Sequence, residues 1–358
     1  MKRIVIFVSA GVVVLLAGLW IATRFDAVDM AIYRRLAMAG ATAPIPELAQ
    51  KGELAVLLCG SGSPIPDKDR AAACTVIAAG EDLYVIDAGG GSVRNLVAWK
   101  VPLDKVKGVF VTHFHSDHIS DLGELRLQTW VAGRKTPLKV YGPPGIEDVV
   151  AGFNLAYAHD AVHRTAHHGA ALLPPEAVPL VAVVVPMDAD GHHAAFTANG
   201  LSVTAIKVKH DPVKPAYGYR FDFQGRSITL SGDTAPSDNL AKWAKGSDIL
   251  VHEGLQPELV GMLRDGLVSV DRPRYAKIMH DIPDYHTSPV DAAKVANKAG
   301  AKLLLFSHVI PPLPGFVAER AFLAGVAAVR PDGVMLGEDG TWIRLPGKSG
   351  EMEIGKIE

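Results

Sequence analysis

The chain of 358 residues is long enough for one large domain or two small ones. Its 49% hydrophobic and 21% charged residues suit a globular core, and its formal net charge of −2 excludes a global attraction to polyanions. The sequence has two cysteines, Cys59 and Cys74, and neither has another at metal-ligand spacing, so we do not expect zinc ligation by thiolates. Whether they form a disulfide stays open, because sequence does not show their geometry.

The N-terminus has a short basic start followed by twenty residues, 4–23, without a charge. A helix of that length spans about 30 Å and crosses a bilayer. The apolar region of a cleavable signal peptide is usually only about 7–15 residues long, and the first small-x-small site, 37–39, lies well beyond the run. We therefore predict an uncleaved transmembrane helix over 1–23, with a signal peptide as the alternative.

Basic residues on both sides of this run bear on its orientation. Lys2 and Arg3 favour a cytoplasmic N-terminus, whereas Arg24, Arg34 and Arg35 weaken that preference. With a cytoplasmic N-terminus, the rest of the chain lies outside the cytoplasm, in the periplasm if the source is a Gram-negative bacterium. Cleavage would instead release the protein into the periplasm.

Residues 24–50 are predicted to form a connector, after which short apolar runs alternate with Gly, Pro and Asp. These runs predict strands over 55–59, 74–78, 83–86, 108–111, 139–142, 201–208, 217–223, 227–230, 248–251 and 302–306. Helices are expected over 92–99, 122–130 and 289–298. The alternation indicates a layered α/β domain over 51–346, with a long insert at 146–200 and a polar tail at 347–358.

Three histidines and an aspartate lie within residues 113–118. The residues just before them, 108–112, are typical of a strand, so the cluster lies on the loop that leaves a buried strand. Neutral imidazole nitrogen and carboxylate oxygen are ligands of divalent zinc. Four such side chains at this spacing predict a metal site, whereas a lone histidine would more often be a surface or core residue.

The cluster resembles the HxHxDH signature of the metallo-β-lactamase superfamily. Further segments resemble motifs of that family in the same order: 59–64, 83–89, 209–220, 231–234, 286–288 and 306–308. This order is most similar to the ribonuclease Z and arylsulfatase-like branch. The resemblance implies an αββα sandwich, with metals bound at one edge of the paired sheets.

The resemblance also implies a dinuclear metal site. One metal would be bound by His113, His115 and His210, the other by Asp117, His118 and His308, and Asp233 would bridge them. Two metals about 3.5–4 Å apart lower the pKa of a bridging water and stabilise the attacking and leaving oxygens. We expect two Zn²⁺ ions, although Mn²⁺ and iron accept similar ligands.

Three side chains are candidates for support or catalysis beside Asp117, which is expected to be both a ligand and a base. Asp87 ends a strand and can orient a ligating imidazole, or it is an ordinary turn-capping residue. The resemblance implies that His286 assists proton transfer to the leaving group; the alternative is an exposed histidine before a helix. Glu253 is expected to hold His286 in the required tautomer.

The insert contains six histidines and six acidic residues against one basic residue, Arg164. An additional metal site there is not favoured, because no pair of histidines shows tight spacing with a carboxylate after a clear strand. A tRNA-binding arm should be basic, since phosphate contacts dominate affinity for nucleic acid. We therefore do not expect nucleic acid as a partner.

Segments 262–282 and 309–316 are candidate pocket walls. Four aromatic residues can line a cleft for an apolar leaving group, although each is more typical of a core: Trp130, Tyr157, Tyr285 and Phe316.

The function predicted is a dinuclear zinc hydrolase that cleaves a phosphodiester, a sulfate ester or a similar small ester. A lactone or β-lactam hydrolase is the alternative, because the same activated water serves both reactions. A non-catalytic, membrane-tethered scaffold is less favoured, because no expected ligand is missing. The fold does not name the substrate, and the oligomeric state stays open, with a homodimer as one option.

Overall fold

The computed structural model describes residues 20, 26–42, 46–347 and 349–357. The chain divides into two compact units, Met1–Ile45 and Pro46–Glu358. In the first unit, helix α1 (Asp26–Thr42) leaves Met30 and Tyr33 exposed. The transmembrane helix predicted over 1–23 lies outside the described residues, apart from Trp20. No helix within the described ranges is both long and apolar enough to cross a membrane.

The second unit is built on two β-sheets. Its strands are β1 (Leu54–Gly60), β2 (Cys74–Ala79), β3 (Asp82–Ile86), β4 (Val106–Phe110), β5 (Leu138–Gly142), β6 (Leu180–Val184), β7 (His192–Ala198), β8 (Leu201–Lys207), β9 (Tyr217–Phe223), β10 (Arg226–Leu230), β11 (Ile249–Leu255), β12 (Leu303–Ile310), β13 (Val334–Leu336), β14 (Thr341–Leu345) and β15 (Glu353–Lys356). One sheet has the order β15-β14-β1-β2-β3-β4-β5-β6, and the other has the order β13-β12-β11-β10-β9-β8-β7.

Helices connect the strands, and several of them pack on the outer faces of the two sheets. They are α2 (Ser92–Ala98), α3 (Ser116–Ile119), α4 (Leu122–Val131), α5 (Ile146–Ala156), α6 (Ala158–His168), α7 (Asp238–Trp243), α8 (Pro257–Ser269), α9 (Pro273–Asp281), α10 (Pro289–Ala299), α11 (Phe316–Phe322) and α12 (Val326–Val329). Short 3₁₀ turns lie at Leu103–Lys105, Pro175–Ala177 and Ile282–Tyr285.

The side chains of β1 show how the layers pack. Successive residues of a strand point to opposite faces, and all seven residues of β1 are buried. Leu54 and Val56 lie in the core between the sheets with Phe221 of the second sheet. Ala55 and Leu57 lie in a second core on the opposite face, which also contains residues of α2 and α4. Burial on both faces explains the continuous apolar run in the sequence.

The direction of the parallel strands determines the edge of each sheet at which the loop residues gather. Strands β3, β4 and β5 are parallel, as are β10, β11 and β12. The carboxyl ends of parallel strands meet at one edge of a sheet. Residues that follow them therefore gather at the same end of each sheet.

The predicted elements are present, with differences at their ends. Strand β12 continues to Ile310, beyond the predicted end at residue 306. The insert at 146–200 forms α5, α6, β6 and β7 as part of the sandwich. The compact unit begins at Pro46, and the predicted polar tail contributes β15, which pairs antiparallel with β14.

Cys59 and Cys74 form a disulfide, with their Cα atoms 5.0 Å apart. The two residues lie on the adjacent strands β1 and β2, whose ladder pairs Gly60 with Cys74. The bond therefore joins the two ends of the loop between these strands. The structure therefore contains the disulfide whose formation the sequence left open.

Candidate metal centre

The seven ligand-type residues predicted from the sequence lie together at the edge where the parallel strands of both sheets end. His113 and His115 follow β4, and the next turn of chain, α3, carries Asp117 and His118. The second sheet contributes the others: His210 after β8, Asp233 after β10 and His308 within β12. All of them except His115 are buried.

Two glycines allow the loops to approach this closely. A Cβ at Gly89 would overlap the carbonyl oxygen of Asp117. Gly232 has φ +59°, and a Cβ there would overlap the carbonyl oxygen of Tyr217. Larger residues at either position would push the ligand loops apart.

The first ligand set consists of His113, His115 and His210. His115 Nδ1 lies 3.0 Å from His113 Nε2 and 3.4 Å from His210 Nε2. Ligands about 2.0–2.1 Å from a tetrahedral zinc lie about 3.4 Å from one another. The three nitrogens therefore have the spacing of ligands to one metal.

The second ligand set consists of Asp117, His118 and His308. Asp117 Oδ2 lies 3.2 Å from His308 Nε2 and 3.4 Å from His118 Nε2. These distances also match ligands around one metal.

Asp233 lies between the two sets. Its Oδ2 is 3.4 Å from His118 Nε2 and 3.5 Å from His308 Nε2, and 3.9 Å from Nε2 of both His113 and His210. Within the described part of the chain, Asp233 Oδ1 and His118 Nε2 are buried without a hydrogen-bond partner. Buried polar atoms require partners, and two metal ions would satisfy these. The site therefore fits a dinuclear centre.

Known proteins are similar to this chain in sequence. The model of the beta-lactamase superfamily domain matches residues 83–309. Ribonuclease Z of Mycobacterium bovis (strain BCG / Pasteur 1173P2) is 35% identical over 268 residues, which cover 73% of this chain and 88% of that protein. The chain belongs to the metallo-β-lactamase superfamily. Within it, the chain lies in the ribonuclease Z-like branch, because Ribonuclease Z of Mycobacterium avium (strain 104) is also 35% identical, over 79% of this chain and 95% of its own.

Solved structures show the same fold. The metallo-β-lactamase fold protein YhfI from Bacillus subtilis has a TM-score of 0.59 at 19% identity, covering 82% of this chain and 100% of its own. The short form of human tRNase Z has a TM-score of 0.58 at 20% identity, covering 81% of this chain and 98% of its own. The predicted metallo-β-lactamase sandwich is confirmed. The chain is a metal-dependent hydrolase of the ribonuclease Z-like branch.

Asp87 orients one ligand of this superfamily site. Its Oδ2 lies 2.8 Å from His118 Nδ1, and its carboxylate also accepts hydrogen bonds from the amide and the hydroxyl of Thr112, both at 2.8 Å. With Nδ1 held in this way, Nε2 of His118 faces the centre. Such outer contacts fix the tautomer and the ring direction of a ligating histidine.

A backbone carbonyl orients another ligand. His210 Nδ1 donates to the carbonyl oxygen of Tyr285 at 3.1 Å, and the Tyr285 ring lies 5.0 Å from the His210 ring, edge to face. The sequence did not predict this contact, because every residue type has a backbone carbonyl and none marks the one that accepts. The adjacency of Tyr285 to His286 was the one available hint.

His286 and Glu253 form a pair beside the ligands. His286 Nδ1 lies 3.1 Å from Glu253 Oε1, which also accepts from the amides of Thr234 and Thr287. A ring nitrogen of His286 lies within 4.8 Å of ligand atoms of Asp233 and His308. Glu253 thus holds the imidazole with its second nitrogen directed to the centre.

Electrostatics separate the roles of these groups. Burial lowers the pKa of His113 well below its usual value, so the ring is neutral, as a ligand must be. Burial opposes ionisation of Asp233, but His308 and His118 hold its pKa well below the usual range. Burial by itself would lower the pKa of His286. The Glu253 carboxylate outweighs this effect, so the pKa of His286 is raised. His286 is therefore suited to carry a proton.

The remaining candidates lie elsewhere. Trp130 is core, with its indole nitrogen donating to Pro174, and Phe316 is 69% exposed. Of the insert histidines, His192 forms a cluster with Asp188 and Asp190, and His193 pairs with Asp188 at 3.1 Å. Both carboxylates are exposed.

Proposed function

We propose that the protein is a dinuclear zinc phosphodiesterase that acts on a small phosphodiester. The observation that carries the proposal is the His286–Glu253 pair directed at a full set of seven ligand-type residues. An alkoxide leaving group needs a proton, and a protonated imidazole beside the centre supplies it. The kinship with ribonuclease Z proteins supports a phosphodiester over a lactone or a β-lactam.

Three side chains of this chain have separate roles in the reaction. When bound, the two metals supply an activated water and stabilise charge on the phosphoryl oxygens. Asp117 accepts a proton from the attacking water. His286 donates a proton to the leaving oxygen as its bond to phosphorus breaks, and Glu253 stabilises the imidazolium before that transfer.

Cleavage of tRNA is the second candidate, because the names of the relatives specify ribonuclease and tRNase activity. The charge of this chain opposes it. Arg164, the one basic side chain of the insert, is paired with Asp160 at 2.9 Å. Phosphate-binding surfaces require uncommitted basic residues.

A substrate panel tests the proposal. Purified, metal-replete protein would be assayed with chromogenic phosphodiester, sulfate ester, lactone and β-lactam substrates, and with precursor tRNA at low salt. We expect the phosphodiester to be hydrolysed with the highest kcat/KM. Hydrolysis of the lactone or the β-lactam without the phosphodiester would reject the proposal, and faster cleavage of tRNA would favour the second candidate.

The proposal includes a location at a membrane, with the catalytic unit outside the cytoplasm. Its supports are the uncharged run over 4–23 and the Cys59–Cys74 disulfide, since disulfides persist in oxidising compartments. Full-length protein should stay with membranes in high salt, and deletion of residues 1–24 should release it. Release of the full-length chain by salt alone would contradict an anchor, and a mature N-terminus near residue 40 would indicate a signal peptide.

A further inference from the structure

A cleft of about 650 Å³, which we call the insert cleft, lies between α4 and the insert. Its walls come from α4, from α5 and α6, and from residues 175–179 just before β6. Small-molecule sites typically have volumes of about 300 to 1,000 Å³. None of the seven metal ligands lines this cleft, nor does His286 or Glu253. The insert cleft and the metal centre therefore have no residue in common.

Most of the lining of the insert cleft is apolar. The apolar side chains are those of Ala158, Ala161, Val162, Ala166, Val178 and two prolines. Ala161 and Val178 also belong to a buried cluster with Trp130, so the fold fixes this wall. Val162 is 65% exposed, which leaves an apolar side chain open to solvent at the cleft. An apolar molecular body would be stabilised against these walls.

Arg126 of α4 is the one charged side chain of the lining. Only 4% of the residue is exposed, and its Nε is buried without a hydrogen-bond partner within the described part of the chain. Its guanidinium lies 5.9 Å from the centre of the Tyr157 ring, a cation–π contact that satisfies no N–H donor. A buried cation of this kind costs several kcal/mol unless an anion compensates it.

The other polar side chains of the lining are already satisfied. Asn154 exchanges two hydrogen bonds with the backbone of Leu180, at 2.8 and 2.9 Å. Thr165 donates to the carbonyl oxygen of Leu173 at 3.0 Å. The group at the cleft that still needs a hydrogen-bond partner is therefore the guanidinium of Arg126.

The charges around Arg126 do not neutralise it. Burial lowers its pKa, and the carboxylate of Asp160 opposes that effect only in part. Asp160 pairs with Arg164 at 2.9 Å, and among the described residues it forms no ion pair with Arg126. Arg134, a second buried arginine, donates to the hydroxyl of Thr129 at 3.1 Å and to backbone carbonyls, which are all neutral acceptors. Burial and the like charge of Arg126 lower the pKa of Arg134 to about 10.

We propose that the insert cleft binds a small organic monoanion, a carboxylate with an apolar body. The planar guanidinium of Arg126 donates to the carboxylate, a geometry for which arginine is suited. The apolar walls contact the body of the ligand. One recessed cation matches a single negative charge, and it does not follow an extended polyanion. This site is independent of the proposed catalytic reaction.

Three matched probes test the proposal on the full-length protein. They are 4-phenylbutyrate, 4-phenylbutyramide and 4-phenylbutylammonium, which keep the apolar body and change the charge. Isothermal titration calorimetry gives the Kd of each. We expect the carboxylate to bind at least about ten-fold more tightly than the amide, as for hydrogen bonds to charged groups, and the ammonium to bind most weakly.

Two variants locate the binding. Arg126→Met should raise the Kd of the carboxylate to that of the amide and leave the amide unchanged. An apolar residue in place of a buried unpaired charge is often neutral or stabilising, so this variant should fold. Val162→Glu, an exposed change on the opposite wall, should weaken the carboxylate more than the amide. Arg320→Met removes an exposed arginine of α11 and should change no Kd.

Three results would overturn the proposal. They are failure of all three probes to bind, equal affinities for the carboxylate and the amide, and carboxylate binding that survives both Arg126→Met and Val162→Glu. The last result would place the carboxylate elsewhere, for example on the metals. The proposed phosphodiesterase function stands in each case, because neither residue belongs to the metal centre.

Discussion

Single residues decide the chemistry of this site, and residue type made them visible in the sequence. The ligands His113, His210 and Asp233 could be predicted because few side chains bind zinc and their motifs recur in one order. The contacts that orient these ligands were harder to predict from the sequence. Thr112 and the carbonyl of Tyr285 have no compositional signal, because their roles come from tertiary approach and not from side-chain chemistry.

The role of His286 can be tested by the leaving group. His286→Ala should keep its metals and slow turnover by roughly 10²–10⁴-fold for alkoxide leaving groups, as expected for loss of a general acid. The loss should be smaller for nitrophenol, which needs little protonation. The measurement is kcat across a series of leaving-group pKa values.

A control variant shows whether the removal of any histidine slows turnover. His280→Ala removes an exposed histidine of α9 and should change neither rate. Equal losses for good and poor leaving groups in His286→Ala would reject proton donation and make His286 a positioning residue.

At the scale of elements, the strands were predictable and one local distortion was not. The ladder of β11 and β12 pairs His252 with Phe306 and Gly254 with Val309, so one residue, Glu253, lies opposite two, Ser307 and His308. His308 has φ +48°. This bulge places Glu253 and His308 at the centre. Apolar periodicity predicts a strand, but it does not predict an extra residue within it.

Another buried contact holds the second sheet together. Asp248, just before β11, accepts from the amide of Ser227 at 2.8 Å and lies 3.1 Å from Arg226 Nε and 2.8 Å from Lys302 Nζ. Burial alone would raise its pKa, but Lys302, Ser227 and Arg226 lower it. The carboxylate thus links β10, β11 and the start of β12.

Asp248→Asn should lower the free energy of unfolding by ~3 kcal/mol at neutral pH, because Arg226 would be left buried without its counter-charge. Since folding depresses this pKa, the contribution is present above the unfolded value of about 3.9 and is lost as pH falls through the folded value. The difference between wild type and variant should therefore shrink below about pH 4. Denaturant unfolding against pH measures it.

Asp332→Asn, an exposed change of the same kind, is the control and should have little effect. A difference for Asp248→Asn that stayed constant down to pH 2 would contradict the electrostatic account.

At the scale of the whole molecule, the metal centre depends on the docking of two sheets. The 113–118 cluster comes from the first sheet, and His210, Asp233 and His308 come from the second. Sequence predicted the layers from alternating elements and the site from motif order. The cleft between the loop after β1 and the segment after β12 depends on how distant loops meet, and the sequence predicted only parts of its walls, 262–282 and 309–316.

Metal content tests the central claim most directly. Elemental analysis of the purified protein should find close to two metals per chain, mostly zinc, because two ligand sets share the Asp233 carboxylate. Asp233→Ala should lose more metal than His286→Ala, since only Asp233 lies between the sets. A protein that contains no metal, and takes up none when zinc is added, would contradict the account.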